Sequence, residues 1–105
     1  MIVRMWHGRV PSEKAQRYRE FLNARAIPDY RSVAGNISVH ILERLDGEVT
    51  HFVTMTFWDD MASIRAFAGD DVRTAKYYPE DREFLLEFEP TVLHYEVAGA
   101  ATRAP

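Results

Sequence analysis

A tight hairpin is the clearest structural signal in the sequence. Residues 37–45 and 48–58 are rich in β-forming side chains and flank the pair Asp46-Gly47. Such a pair between two β-rich segments is typical of a two-residue turn, because both central residues of the turn adopt positive φ. We therefore expect an antiparallel hairpin with Asp46 and Gly47 at its tip.

The turn also sets which residues face each other across the hairpin. With that turn, Ile41 faces Phe52, while His40 and His51 lie diagonally on one face, within reach of each other. A sheet with one side in water has a polar face there, whereas both faces of this hairpin are largely apolar, so both need to be covered. One face carries Ile37, Val39, Ile41, Phe52, Thr54, Thr56 and Trp58, and the other carries His40, Leu42, His51, Val53, Met55 and Phe57.

The residues before the hairpin predict one strand and one helix. Residues 2–10 are rich in β-forming side chains and end before Pro11. From about 12 to 26 apolar residues recur at helical spacing, and we expect Pro28 to end that helix. Residues 28–36 are then expected to form a loop.

The residues after the hairpin predict helical segments followed by a last strand. Acidic caps, a glycine and two prolines mark the boundaries. The expected elements are a helix capped by Asp59 or Asp60 and ended by Gly69, a short helical stretch over 70–78, a helix from Pro79 that Pro90 ends, and a strand over 91–97.

The element order β-α-β-β-α-(α)-β predicts the fold class. It favours an α+β, ferredoxin-like domain, with a four-stranded antiparallel sheet and the helices on one face. Residues 1–97 are expected to form this single domain, and residues 98–105 a flexible tail. The other sheet face is apolar, so we expect a homodimer in which two sheets pack face to face.

Composition excludes several classes of protein. Cysteine is absent from the 105 residues, which excludes a disulfide scaffold and a thiol nucleophile. With a net charge of −3, the chain lacks the excess of Lys and Arg that is typical of a nucleic-acid-binding protein. Apolar runs fall well short of the ~20 residues that cross a bilayer, and no targeting segment is visible. We expect a cytoplasmic protein with neither nucleic acid nor membrane as a partner.

The segment from Trp58 onward, WDDMASIRAFAGDDVRTAKYYPEDREFLLEFEPTVLHYEV, together with the element order, resembles the antibiotic biosynthesis monooxygenase family. That family belongs to the dimeric α+β barrel superfamily, and the resemblance covers about residues 1–97. It implies a homodimer and a pocket between the sheet and the helices. Relatives include oxygenases, heme-degrading enzymes, isomerases and proteins of no known role.

The heme-degrading members of that family use three residues that are absent here. They carry an Asn on the first strand, a Trp late in the second helix and a His in the following segment. His7, Phe67 and Tyr77 occupy those positions in this sequence. The resemblance therefore implies no heme degradation, and we expect no cofactor.

The cofactor-independent members that oxidise aromatic polyketides are matched in part. They use a Trp at the end of the third strand, an Asn four residues earlier and a Tyr in the second helix. Trp58 matches, while Thr54 and Ile64 stand at the other two positions. Two function classes stay open: a cofactor-independent monooxygenase-like protein for a small aromatic or quinone-like compound, and a non-catalytic binding or stress-related protein of the same fold.

Four histidines on predicted strands and a group of aromatic residues are the candidate site. Only pairs of histidines can be argued to converge, so no metal site is expected. An imidazole titrates near neutral pH and can act as a general base, and aromatic side chains can wall a cavity for a flat ligand. The catalytic candidates are His7, His40, Tyr77 and His94, and the expected pocket walls are Trp6, Trp58, Phe67, Tyr78 and Phe84.

Overall fold

The computed structural model describes residues 1–104 and contains one four-stranded antiparallel sheet. The strands lie in the order β2-β3-β1-β4. This order, with the helices on one face, confirms the predicted ferredoxin-like α+β fold. The strands are β1 (Ile2–Pro11), β2 (Asn36–Asp46), β3 (Val49–Trp58) and β4 (Leu93–Glu96).

The first helical segment runs further than predicted. It begins with a 3-10 turn at Ser12–Lys14 and continues through α1 (Ala15–Phe21), a π turn at Leu22–Ala26 and α2 (Ile27–Arg31). The predicted end at Pro28 is therefore wrong. The wide turn, in which the N–H of Ile27 bonds the carbonyl of Leu22, makes room for a proline ring that an ordinary α-turn would exclude.

The hairpin forms as predicted, but its register differs by two residues. Asp46 pairs with Val49, so the central residues of the turn are Gly47 and Glu48. Only Gly47 adopts positive φ, at 63°, which suits a glycine in the first central position of a type II′ turn. Ile41 consequently faces Thr54 instead of Phe52.

A shift of two residues leaves the sheet faces unchanged, because side chains alternate with a period of two. It does separate His40 from His51. His40 faces Met55, four residues from His51 along β3. The predicted diagonal pair of these two histidines is therefore wrong.

The two faces of the sheet differ sharply in burial. On the covered face, Phe52 and Trp58 are fully buried beneath α1 and α3 (Met61–Ala68). On the open face, Val53, Met55 and Phe57 are half-buried, and Leu93 is 61% exposed. The core thus lies between one sheet face and the helices.

The last third of the chain contains less regular structure than predicted. Residues 70–78 form no helix, the helix expected from Pro79 is a single 3-10 turn (Pro79–Glu83), and β4 is shorter than 91–97. The buried carboxylate of Asp81 accepts hydrogen bonds from the Tyr18 hydroxyl and the Tyr78 N–H. The Leu86 N–H then bonds the carbonyl of Arg9, which draws the chain along the edge of β1 instead of continuing a helix.

Within residues 1–104, no helix is long and apolar enough to cross a membrane. Residues 98–104 of the predicted tail lie outside any helix or strand, and Pro105 is outside the described residues.

Candidate functional site

A chain of four polar side chains crosses the open face of the sheet. The His7 Nδ1 lies 2.5 Å from a Glu89 carboxylate oxygen, and the His7 Nε2 lies 2.9 Å from the His51 Nδ1. The His51 Nε2 is 3.3 Å from an Asp46 carboxylate oxygen. We call these residues, Glu89, His7, His51 and Asp46, the His7 cluster. His51 is a diagonal neighbour of His7 on the open face, because the register of β1 and β3 sets Val53 opposite His7 and His51 opposite Arg9.

The three hydrogen bonds of the His7 cluster require one excess proton. A carboxylate only accepts hydrogen bonds, so the His7 Nδ1 and the His51 Nε2 must both carry hydrogen. The bond between the rings needs a third hydrogen, which makes one of the two imidazoles an imidazolium. When both imidazoles are neutral, the contact between the two rings lacks its hydrogen, and the cluster can accept one proton at that position. This is the behaviour required of a general base.

Two clefts flank His7. One has a volume of about 180 Å³ and the other about 250 Å³, both below the 300–1,000 Å³ of most small-molecule sites. The first forms at the edge of the sheet, because β4 pairs only with residues 2–5 of β1 and leaves residues 6–8 without a paired strand on that side. Its lining includes Met5, Trp6, His7, Val53, Glu89 and Leu93. Apolar walls thus surround one imidazole and one carboxylate.

Tyr77 contacts two residues that line this cleft, Glu89 and Trp6. Its hydroxyl donates a hydrogen bond to the carbonyl of Glu89 at 2.5 Å, and its ring meets Trp6 edge to face. Burial raises the pKa of Tyr77, so the phenol stays protonated at neutral pH. The hydroxyl is occupied by the backbone, and Tyr77 therefore positions Glu89 instead of facing the cleft.

Tyr78 lies in a different part of the molecule. Its hydroxyl donates a hydrogen bond to Asp29 at 2.6 Å, and the guanidinium of Arg25 lies 4.5 Å above its ring. Burial raises the pKa of Tyr78 as well. Tyr77 and Tyr78 border an open groove of about 460 Å³ whose lining does not include His7.

The remaining predicted histidines do not join the His7 cluster. His40 is exposed, and its Nε2 lies 3.3 Å from the Ser38 hydroxyl. His94 lies on the covered face, where its Nε2 is 3.1 Å from the Arg4 guanidinium. Burial and the positive charge of Arg4 lower the pKa of His94, so its imidazole is neutral at pH 7. Among residues 1–104, no group of three His, Cys, Asp or Glu side chains is arranged to hold a metal ion.

Arg4 is a buried cation that the sequence analysis did not single out. It is only 2% exposed and donates hydrogen bonds to the carbonyls of Val72 and Thr74. Its Nε has no partner, and none of the ion pairs within residues 1–104 includes it. Burial lowers the pKa of Arg4. The alternation of side chains along β1 could have indicated that Arg4 is buried, because Arg4 shares a sheet face with Trp6 and Val10.

A model of the antibiotic biosynthesis monooxygenase family matches residues 1–76 of this chain. The chain belongs to that family. No curated protein matches the sequence significantly.

Solved structures share the fold at low sequence identity. A protein of unknown function from Nitrosomonas europaea is 18% identical, with a TM-score of 0.68, and the match covers 99% of this chain and 95% of that one. A monooxygenase from Streptomyces coelicolor in complex with nanaomycin D is 18% identical, with a TM-score of 0.66, over 98% and 92% of the two chains. A heme-degrader from Mycobacterium tuberculosis with two hemes in its active site is 17% identical, with a TM-score of 0.66, over 97% and 100%.

The space between sheet and helices, where the family resemblance implies a pocket, is filled by side chains in this family member. Trp58 is fully buried, and its indole N–H donates to the Thr56 hydroxyl. Phe67 stacks on Tyr30 with ring centroids 4.5 Å apart. Phe84 is buried against Tyr18. The structure therefore places Trp58, Phe67 and Phe84 in the core and only Trp6 of the expected pocket walls beside His7.

Proposed function

We propose that this member of the family is a cofactor-independent, monooxygenase-like protein that oxidises a small aromatic compound, with His7 as its general base. The observation that carries the proposal is the hydrogen-bonded His7 cluster beside an apolar cleft. Glu89 and His51 hold the imidazole from both sides, at 2.5 Å and 2.9 Å. Since Glu89 and His51 occupy both nitrogens of His7, a phenol bound against Trp6 transfers its proton to Nε2 when the His51 ring turns away from it.

The chemistry needs little from the protein beyond that base. Removal of the phenolic proton gives an electron-rich anion that reacts with molecular oxygen. One oxygen atom of O₂ becomes the new carbonyl oxygen of a quinone. The other leaves as water together with two hydrogens of the substrate, the phenolic proton and the hydrogen of the ring carbon that is oxidised. The protein must bind the ring, remove the first proton and limit the access of water.

The size of the cleft restricts the substrate class. A volume of about 180 Å³ suits a single ring or a small fused system and is below the range of most ligand pockets. A quinone-like or phenol-like compound of one or two rings is therefore the proposed substrate.

A second copy of the chain would close the cleft. The open sheet face presents Val53, Met55 and Phe57 half-buried and Leu93 and Tyr95 exposed, and a contiguous apolar surface of this kind is typical of an interaction site. We propose that two sheets pack together in a cytoplasmic homodimer, which would exclude water from His7. Sedimentation at micromolar concentration tests this, and a single species of 12.2 kDa would contradict it.

Oxygen consumption tests the catalytic proposal. Phenol, 2-methoxyphenol and 1-naphthol are the probes, and quinone formation is followed by absorbance. We expect His7→Asn to lower the rate roughly 10²- to 10⁴-fold, the usual contribution of a general base. The matched control is His40→Asn, which removes an exposed histidine of the same face and should leave the rate unchanged. Full activity in the His7→Asn protein would exclude His7 as the base.

The alternative function is a non-catalytic binding protein. The exposure of the His7 side chain, 35% in the single chain, favours it, because a catalytic base usually works where water is excluded. The same experiment separates the two functions. Saturable binding of a probe without oxygen uptake, equal in the wild type and the His7→Asn protein, would favour the binding protein.

A further inference from the structure

Within residues 1–104, three histidines lie on the open face of the sheet and one lies on the covered face. His7 on β1, His51 on β3 and His40 on β2 share the open face, because side chains alternate along each strand and β3 pairs with both neighbours. His94 lies on the covered face beside Arg4. Since an imidazole changes its charge between about pH 5 and 8, the charge of the open face depends on pH in this range.

The contact between His7 and His51 tolerates one proton but not two. The His7 Nε2 lies 2.9 Å from the His51 Nδ1, and the rings are stacked with their centroids 5.2 Å apart. One hydrogen between these two nitrogens completes their hydrogen bond. Two imidazolium rings would instead place two N–H donors and two positive charges against each other. A second proton therefore separates the rings.

The charged groups around this pair of rings balance one proton and not two. Two arginines and three carboxylates leave one negative charge in excess when both imidazoles are neutral. One proton makes the set neutral, and a second leaves one positive charge in excess. Glu43 also lines a cleft beside the rings, but it is paired with Arg19. The groups that face the pair are Arg9 on β1, Arg44 and Asp46 on β2, and Glu87 and Glu89 on the segment after the last 3-10 turn.

The pair borders the apolar part of the open face. Val53 lies opposite His7, and Leu42 lies opposite Val53 on the other side of β3. The His51 side chain is only 18% exposed even in the single chain. A second copy that covers this surface would remove the remaining water, and an excess charge is costly to remove from water. A covering copy and a second proton on the pair therefore oppose each other.

We propose that a second proton on the His7–His51 pair releases the partner, so that the homodimer dissociates as the pH falls below neutral. The inference rests on the homodimer of the proposed function and adds its regulation. It is compatible with His7 as the general base. One proton taken from a substrate leaves the rings in contact and the surrounding charges balanced.

Sedimentation velocity of the whole protein tests the inference at about pH 7.5 and about pH 5, on either side of the ordinary titration of an imidazole. Both samples have the same high ionic strength, which screens exposed charges far more than covered ones. We expect the dissociation constant of the dimer to rise at least roughly tenfold at the lower pH. The far-ultraviolet circular dichroism should stay unchanged.

Three outcomes of that measurement would contradict the inference. Equal dissociation constants at the two pH values would overturn the inference alone and leave the homodimer standing. A monomer at both pH values would overturn the homodimer and the inference with it. Loss of the circular dichroism signal together with the dimer would show that unfolding, and not the pair of rings, releases the partner.

Two variants assign the effect to the pair of rings. His51→Asn should remove the pH dependence, because His7 alone takes one proton, which Glu89 balances. His7→Asn should act in the same way, because His51 alone takes one proton beside Asp46. Either variant decides the question if the other fails to fold. Dissociation at low pH that equals the wild-type effect in a folded variant would overturn the proposal.

The matched controls remove the other two imidazoles. His40→Asn acts on the same face, but protonation of His40 breaks no contact with another ring, since its Nε2 lies beside the Ser38 hydroxyl. His94→Asn acts on the covered face. Both proteins should dissociate at low pH like the wild type. Loss of the pH dependence in either control would place the effect outside the pair and overturn the proposal.

Discussion

Arg4 and His7 lie three positions apart on β1, but their exposure and their hydrogen-bond partners differ because they lie on opposite faces of the sheet. On the open face, His7 keeps some exposure to water and has a carboxylate at 2.5 Å. On the covered face, Arg4 is removed from water and meets only neutral acceptors. The open face therefore supplies a carboxylate beside the imidazole of His7, whereas the covered face supplies Arg4 with carbonyl and imidazole partners but no carboxylate. The difference follows from the helices, which cover one face alone.

The largest effect on stability is expected when two neighbouring aromatic residues of β3, one on each face, are substituted and compared. Trp58 is fully buried on the covered face and Phe57 half-buried on the open face. We expect Trp58→Ala to lower the free energy of unfolding by about 3–5 kcal/mol, because a large cavity remains. Phe57→Ala should cost about 1 kcal/mol in the monomer. Chemical denaturation measures both.

The concentration dependence of the Phe57→Ala effect sharpens the same comparison. If a second copy covers the open face, this variant should lose more stability at high protein concentration than at low concentration, relative to the wild type. Equal costs for Trp58→Ala and Phe57→Ala at low concentration would show that the two faces are equally buried.

A smaller effect is expected at Gly8, which lies on the covered face beneath Trp6. A Cβ atom added there would lie 2.5 Å from a Trp6 ring carbon and 2.8 Å from a Leu85 methyl carbon. We expect Gly8→Ala to cost about 1–3 kcal/mol, as overpacking usually does. Gly99→Ala is the control, since an added Cβ there meets nothing within 4 Å. A thermal unfolding curve of Gly8→Ala that matches the wild type would mean that Trp6 and Leu85 move aside freely.

The smallest effect concerns the pH dependence of stability through His94. Its pKa in the folded protein lies below the ordinary 6.5, because of burial and the charge of Arg4. As the pH falls through 6.5, the unfolded state takes up the proton first, so the protein loses stability toward the lower folded pKa. We expect His94→Asn to lose less stability than the wild type between pH 7 and 5.

The control for that measurement is Gly99→Ala, which changes no titratable group and adds a Cβ that meets nothing within 4 Å. Its loss of stability over the same pH range should follow the wild type. A His94→Asn protein with the unaltered wild-type profile would indicate that another group carries the pH dependence.

The candidate site was harder to predict from sequence than the fold because contacts between strands depend on register. The alternation of side chains predicted both faces of the hairpin. The position of the turn then depended on Gly47 alone adopting positive φ, which moved the pairing by two residues. The contact of His51 with His7 depends on a different pairing, the register of β3 against β1, and the contact of His7 with Glu89 requires the last third of the chain to run along β1. Neither contact leaves a local signal in the sequence.

The sequence by itself determined the four strands, the first helical segment, the helix before Gly69, the sheet faces and the family, because hydrophobic periodicity and turn residues act locally. The tertiary structure decided that the first helical segment continues through Pro28 and that the segment after Pro79 leaves the helical path. It also decided that His7 lies within hydrogen-bond distance of a carboxylate, that of Glu89, whereas Arg4 forms no ion pair with any residue of 1–104. These outcomes depend on which residues meet across the sheet and between the sheet and the segments that cover it, and such long-range contacts are set only when the whole chain has folded.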